Sequence, residues 1–325
     1  MRNLEQDHSS RLFRAAADAD RGSTLDADYL ERWLLADEQK SKGQRTEMSF
    51  EQYLGPDHVR HYFHYINPFR YPDWFGGRLK GLTQASLERD RAVLERLGLE
   101  AVGPNGNVLD LENIARYNAQ DYRLMRFYPM PRRMQVETVL DFGAGHGRQA
   151  NLLFREGADP VRLIAIDAIE ASYLTQRAYY TGLGLDLAEY VEARDAGEDF
   201  DVASLLDSHD VVHLPTWRFD LVPDDSVDLL CTVQVLKELP RELVPWAIGH
   251  FARVVHPGGA LYVRDHPQDH RPNQMPVEEL LAAAGFVLEF APQVADRRDI
   301  HGVPRIYRRL DPGLLYRPPT PWKRG

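Results

Sequence analysis

The chain has 325 residues, of which 43% are hydrophobic and 27% charged, enough apolar side chains to bury a sizeable core and to exclude global disorder. The formal net charge of -10 argues against a duplex nucleic-acid partner, which calls for a basic face. The single cysteine, Cys231, excludes an internal disulfide framework and a cysteine-based zinc cluster.

No apolar run approaches the roughly 18–20 residues of a membrane span, and the first residues, MRNLEQDHSSRLFR, carry no secretory signal. A soluble, cytoplasmic protein is expected. Residues 1–135 read as helical and irregular. Apolar residues recur at helical spacing over Leu25–Asp37, Ser86–Leu97 and Asp110–Met125, with Gly98 as a C-cap for the second. Between the first two lies YLGPDHVRHYFHYINPFRYPDWFGG, whose Pro and Gly breaks predict turns and loops.

From Val136 short apolar runs alternate with helical segments. Strands are expected at Val136–Leu140, Val161–Ile166, Val211–Leu214, Val227–Thr232, Ala260–Val263, Phe286–Phe290 and Pro304–Tyr307. Helices are expected at His146–Glu156, Ala168–Thr181, Arg241–Val254 and Pro276–Ala284. The fold class is therefore α/β, a Rossmann-like, seven-stranded, mostly parallel sheet with helices on both faces. Ligands of such sheets bind beyond the carboxyl ends of the strands, so the chemistry is sought there.

After the first strand stands Asp141-Phe142-Gly143-Ala144-Gly145-His146-Gly147-Arg148. Glycines permit a tight turn and a close approach of ligand to backbone. A dinucleotide loop would place its third glycine at Arg148; here it falls at Gly147, with an acid two places before the first glycine. Asp167 ends the second strand about 20 residues on, where a carboxylate can take both ribose hydroxyls or cap the next helix. After the third strand, Trp217 either stacks on a purine or packs in the core.

Asp141 to Gly147, Asp167, the strand Ser226-Val227-Asp228-Leu229-Leu230 and the turn Pro257-Gly258-Gly259 together resemble the class I S-adenosylmethionine-dependent methyltransferases, from about Val136 to Leu310. DFGAGHGRQANLL, AIDAIEAS and KELP resemble, within that class, bacterial sugar O-methyltransferases of natural-product pathways. The resemblance implies S-adenosyl-L-methionine as cofactor. Asp141 and the backbone of Gly143, Ala144, Gly145 and Gly147 would hold its methionine end, Asp167 its ribose, and Ala168 and Ile169 its adenine. The segment His213–Trp217, with Leu214 and Trp217, would close over the base, and Gln234 would lie beside the methionine moiety. Residues 1–135 would supply a lid and acceptor pocket rich in aromatic and imidazole groups (Tyr53, His61, Tyr62, Trp74), 136–310 the cofactor domain, and 311–325 a Pro-rich basic tail. The stretch Leu187–Ser208 is long for this fold and is expected to form an added helix.

The implied reaction is methyl transfer to a hydroxyl of a sugar or glycosylated small molecule, with a general base taking the proton. The candidates are His266 as base, oriented by Asp265 or Glu238, with Lys237 where relatives often carry a histidine. No metal is expected, because His266 and His270 lack further ligands. The expected partner is a small-molecule acceptor, without nucleic acid or membrane, and a homodimer is one open oligomeric state. Three other readings stay open: a carboxylate, amine or carbon acceptor; a nicotinamide oxidoreductase, against which Arg148 speaks; and a non-catalytic cofactor-binding protein.

Overall fold

The computed structural model describes residues 2–20, 77–99, 111–127, 135–237, 239–265, 275–291 and 303–310. The helix expected at Leu25–Asp37 and the aromatic stretch around Tyr53–Phe75 lie outside the described residues. Among the described residues no helix is long and apolar enough to cross a membrane.

Three helices precede the sheet: α1 (Arg2–Ala19), α2 (Lys80–Leu97) and α3 (Leu111–Phe127). Gly98 ends α2 in the left-handed conformation, φ 61°, and its N–H reaches back to Glu95 O. The sheet strands are β1 (Thr138–Phe142), β2 (Arg162–Asp167), β3 (Leu187–Glu189), β4 (Val211–Pro215), β5 (Val227–Val233), β6 (Val255–Asp265), β7 (Phe286–Phe290) and β8 (Val303–Arg309). Their order is β3-β4-β2-β1-β5-β6-β8-β7, and only β8 runs against its neighbours β6 and β7. Chain progression reverses direction at β1, which is flanked by β2 and β5. Sheets of this kind bind ligands beyond the carboxyl ends of the strands at such a reversal.

The sheet has eight strands rather than the expected seven. The eighth, β3, falls in the stretch expected to be an added helix. That stretch forms the edge strand β3 and two short helices, α6 (Tyr190–Ala196) and α7 (Val202–Ser208), capped by Glu189 and Asp201 side chains. The helix expected at His146–Glu156 shrinks to α4 (Ala150–Leu153), because Gly143, Gly145 and Gly147 all take positive φ and consume the preceding residues in a loop. The turn Pro257-Gly258-Gly259 is a bulge inside β6: Val227 pairs with Val255 and Leu229 with Ala260, so β6 loops out its extra residues. The remaining helices, α5 (Glu170–Leu183), α8 (Leu243–Val254) and α9 (Val277–Ala283), follow the expected pattern within a few residues.

The two faces of the sheet differ. On one, Leu140, Phe142, Ile164, Ile166, Leu230 and Val263 pack apolar, with Phe219 stacked on Phe142 at 5.4 Å and Phe251 edge-on to it at 5.0 Å between ring centres. The other carries a polar row in register: His213 beside Ala165, Ala165 beside Asp141, Asp141 beside Cys231, Cys231 beside Tyr262. Every polar group in that row is buried, so each demands a partner. Helices α3 and α5 supply several of them.

Helix α1 packs over α5 and α6. Phe13 sits 5.1 Å from both Tyr173 and Trp217, edge-on to the latter. Ser10 and Arg14 bond Glu170, at the start of α5, and Asp20 accepts from Tyr190 Oη at 2.8 Å and Trp217 Nε1 at 3.1 Å.

Candidate functional site

The candidate site is built from the carboxyl ends of β1, β2, β5 and β6. Asp141 lies on the polar face of β1, 2% exposed. Its Oδ1 accepts from Cys231 Sγ at 3.2 Å, and its Oδ2 has no hydrogen-bond partner among the described residues. Burial, with the nearby carboxylates of Asp167 and Asp121 adding to it, outweighs the Cys231 bond and Arg148, and pushes its pKa from the usual 3.8 to about 7. An orphaned oxygen on such a group is an acceptor waiting for a donor, and a cationic one would gain most.

Beyond Asp141 the loop turns sharply. Gly143 and Ala144 both donate their N–H to Ile166 O, at 2.8 and 3.2 Å, which lashes the loop to the end of β2. Gly143 has φ 71°, and a Cβ there would overlap Val235. Gly147 has φ 82°, and a Cβ there would lie 2.6 Å from the Tyr180 ring. Two of the glycines are thus required by the chain's own packing, with Val235 and Tyr180 filling the space a side chain would take.

Asp167 ends β2 and is 5% exposed. Its Oδ2 accepts from Gly145 N at 2.9 Å and Gln176 Nε2 at 3.0 Å, and its Oδ1 from Ile169 N at 3.1 Å. Burial raises its pKa to about 6, against the pull of the Ile169, Gly145 and Ala168 amides and Gln176. The carboxylate clamps the glycine loop and holds the Ile169 amide, but it does not cap α5: the N-cap position is Ile169, and no side-chain cap bond is seen there among the described residues. Ala168 and Ile169 follow it directly into α5.

Gln234 follows β5 with φ 67°, a left-handed conformation rare for a residue with a Cβ. Its N–H donates to Arg264 O at 2.8 Å, joining the ends of β5 and β6. Such strained residues cluster where a fold holds ligand or substrate. Asp265, 1% exposed, ends β6 on this side, and Lys237 lies three residues past Gln234. Glu238 and His266 lie outside the described residues, as does His270.

The structure thus brings together Asp141, Gly143–Gly147, Asp167 and Gln234. Leu214 pairs with Ile166 in register and points to the apolar face, away from Asp141. Trp217 is buried beneath α1, with Phe13 on its ring. His146 is buried edge-on to Tyr179; burial, then Arg148, lowers its pKa to about 3.

Several groups escaped sequence reasoning. Asp121 on α3, fully buried, accepts from Arg148 Nη2 at 2.6 Å, Arg264 Nη1 at 2.7 Å and Tyr262 Oη at 2.5 Å. It ties the glycine loop to the end of β6. Gln176 and Tyr180 complete the polar layer beneath the loop, together with His213, which heads the segment expected to close over the base and instead lies wholly buried against Gln176. The only advance signal for Gln176 and Tyr180 is their helical spacing from Tyr173, which puts all three on the inward face of α5.

The opposite ionisation behaviour of these groups fixes a pH dependence. Asp141, raised to about 7, keeps its proton in the folded chain where the unfolded chain has lost it, so its contribution is full below about pH 4 and is lost as pH rises through 7. His146 and His213, lowered from 6.5 to about 3 by burial, contribute above about pH 6.5 and lose it as pH falls through 3. Asp141→Asn should therefore gain stability relative to the native chain between pH 5 and 7, by at most about 1.4 kcal/mol per pH unit. Urea unfolding at several pH values measures it. A difference between the two proteins that stays flat with pH contradicts the assignment.

No protein-family profile matches this chain. No curated protein matches it either. Solved structures overlap it only loosely. The 1,6-didemethyltoxoflavin-N1-methyltransferase of Burkholderia thailandensis, with bound 1,6-didemethyltoxoflavin and S-adenosylhomocysteine, aligns at 17% identity over 70% of this chain and 89% of that one, TM-score 0.36. The [4+2]-cyclase SpnF aligns at 18% identity over 71% and 78%, TM-score 0.38. The arsenic(III) S-adenosylmethionine methyltransferase of Chlamydomonas reinhardtii aligns at 18% identity over 55% and 65%, TM-score 0.34. Overlaps of this size leave the architecture to rest on the strand order and register described above.

Proposed function

We propose that this chain is an S-adenosylmethionine-dependent methyltransferase that acts on a small molecule. The observation that carries the reading is the pair of buried acids at the carboxyl ends of adjacent strands, Asp141 on β1 and Asp167 on β2, flanking a G-x-G-x-G loop at the reversal point of the sheet. The donor set fits the group. The orphaned Oδ2 of Asp141 suits a cationic methionine end, and the carboxylate of Asp167 suits a ribose diol. Gly143, Ala144, Gly145 and Gly147 would bring backbone close to it, Ala168 and Ile169 would border the adenine, and Gln234 would lie beside the methionine moiety. Val235 and Tyr180 pack on the loop and would have to shift to admit it.

The cofactor, when bound, supplies a methyl group already activated on a sulfonium. The protein's own part is then alignment, exclusion of water and removal of a proton. The proposed acceptor is a hydroxyl of a sugar or glycosylated small molecule, supported by the resemblance of DFGAGHGRQANLL and KELP and by the aromatic and imidazole groups before residue 76. A hydroxyl needs a base. His266 is proposed for it, with Asp265 or Glu238 orienting it and Lys237 nearby. Residues 1–135 are proposed as lid and acceptor pocket.

Calorimetric titration with S-adenosylhomocysteine tests the cofactor reading. The native chain should bind, and Asp167→Ala should weaken binding about 10–100-fold, the loss of one or two hydrogen bonds to a charged group. Absence of binding, with saturable binding of NADH instead, overturns it. The acceptor is tested on the methylated product: an ether survives mild alkali, whereas an ester releases methanol and would favour a carboxylate acceptor.

A further inference from the structure

Gln176 lies on the inward face of α5, wholly buried, and makes three polar contacts that cross elements. Its Nε2 donates to Gly145 O at 2.8 Å and to Asp167 Oδ2 at 3.0 Å. Its Oε1 faces His213 Nε2 at 2.9 Å. A carbonyl and a carboxylate can only accept here, so the NH2 must face them and the amide has one possible orientation. Oε1 then requires a hydrogen on His213 Nε2. Burial keeps that imidazole neutral, its pKa lowered to about 3, and Tyr173 stacks on it at 3.8 Å and 14°. The ring is held by stacking, the ring holds the amide, and the amide holds the loop.

We propose that Gln176 is a positioning residue that clasps the apex of the glycine loop to Asp167 and so sets the affinity of the site for an adenosyl group. The proposal rests on the cofactor reading above. Its physical basis is that Gly145 N–H and Gln176 Nε2–H converge on one oxygen of Asp167 while Gln176 also holds Gly145 O. One amide therefore fixes both the carboxylate's orientation and the loop's distance from it. The groups that face Asp167 are Asp141 on β1, Tyr180 on α5 and, through Gln176, His213 on β4; the amides of Gly145, Ala168 and Ile169 complete the ring. The bond from Gln176 favours the ionised acid in a site where burial disfavours it.

The test uses the full chain and two readouts. Gln176→Leu keeps volume but removes the clasp. In the free protein the Asp167 carboxyl, followed by carbon NMR, should titrate at higher pH in this variant than in the native chain. S-adenosylhomocysteine should bind about tenfold more weakly at pH 7, the loss expected for one bond to a charged group, and the deficit should shrink at pH 8.5, where Asp167 is ionised in both. A purely structural role would weaken binding equally at both pH values. His213→Phe keeps the stacked ring but frees the amide to turn, and should show the same pH pattern with a smaller loss. It also serves if Gln176→Leu does not fold. Unchanged Asp167 titration, or binding within twofold of native at both pH values, overturns the proposal. If the native chain binds no S-adenosylhomocysteine, the cofactor reading and the affinity claim both fall, while the NMR titration still decides whether the clasp exists.

Discussion

Asp121→Ala is expected to destabilise the folded chain by about 3–5 kcal/mol, the range for removing one member of a buried ion network. Asp121 is fully buried, and its two oxygens receive Arg148, Arg264 and Tyr262. Burial alone would raise its pKa; Arg264 and Arg148 outweigh that and hold the group below the usual carboxylate range. Without it, the fully buried Arg264 guanidinium and the largely covered Arg148 guanidinium lose their shared carboxylate. The loss reaches the site from both sides, because Arg148 closes the glycine loop and Arg264 O receives Gln234 N–H. Urea unfolding measures the effect, with an unchanged slope indicating that the folded state keeps its extent. A cost below about 1 kcal/mol would mean that the guanidiniums are solvated, and would contradict the burial described here.

Gly143→Ala is expected to cost about 2–5 kcal/mol. A residue with a Cβ at φ 71° loses roughly 1–2 kcal/mol to left-handed backbone, and the new methyl overlaps Val235, an overpacking cost of about 1–3 kcal/mol. Val235→Ala in the same chain should recover the packing part and leave the backbone part. The pair is in contact, so the two changes should not add, and a double-mutant cycle isolates their coupling. If Val235→Ala gives no relief, the side chain does not rest on the loop. The same substitution in the native chain should ease entry to the cradle, since Val235 is the side chain nearest its first glycine.

The parts of the fold legible in the sequence were those with a local pattern. Seven apolar runs marked seven strands; five of these are buried parallel strands, which leave little room for polar residues, and the other two, β7 and β8, pair antiparallel beyond β6. β3 escaped because Leu187–Glu189 is three residues long inside an acidic stretch, too short for any period to show. α1 escaped because its inward residues, Phe13 and Ala16 among them, stand among many polar ones. The loop and its two acids were legible because glycine spacing and an acid at a strand end are themselves local signals. Asp121, Gln176 and the buried placement of His213 were not. Each is defined by partners on other elements, from 9 to 143 positions away in the chain, which spacing alone does not reveal. Trp217 shows the same boundary: sequence left stacking and core packing open, and α1, almost 200 residues earlier, decides that its ring packs against Phe13.

The most direct measurement is a crystal structure of the chain grown with S-adenosylhomocysteine. The account predicts density for the adenosyl ribose against Asp167 and for the amino-acid end against Asp141 Oδ2, with Val235 displaced from Gly143. Density for that compound elsewhere, or a site that stays closed at saturating concentration with Val235 still on the loop, would contradict it.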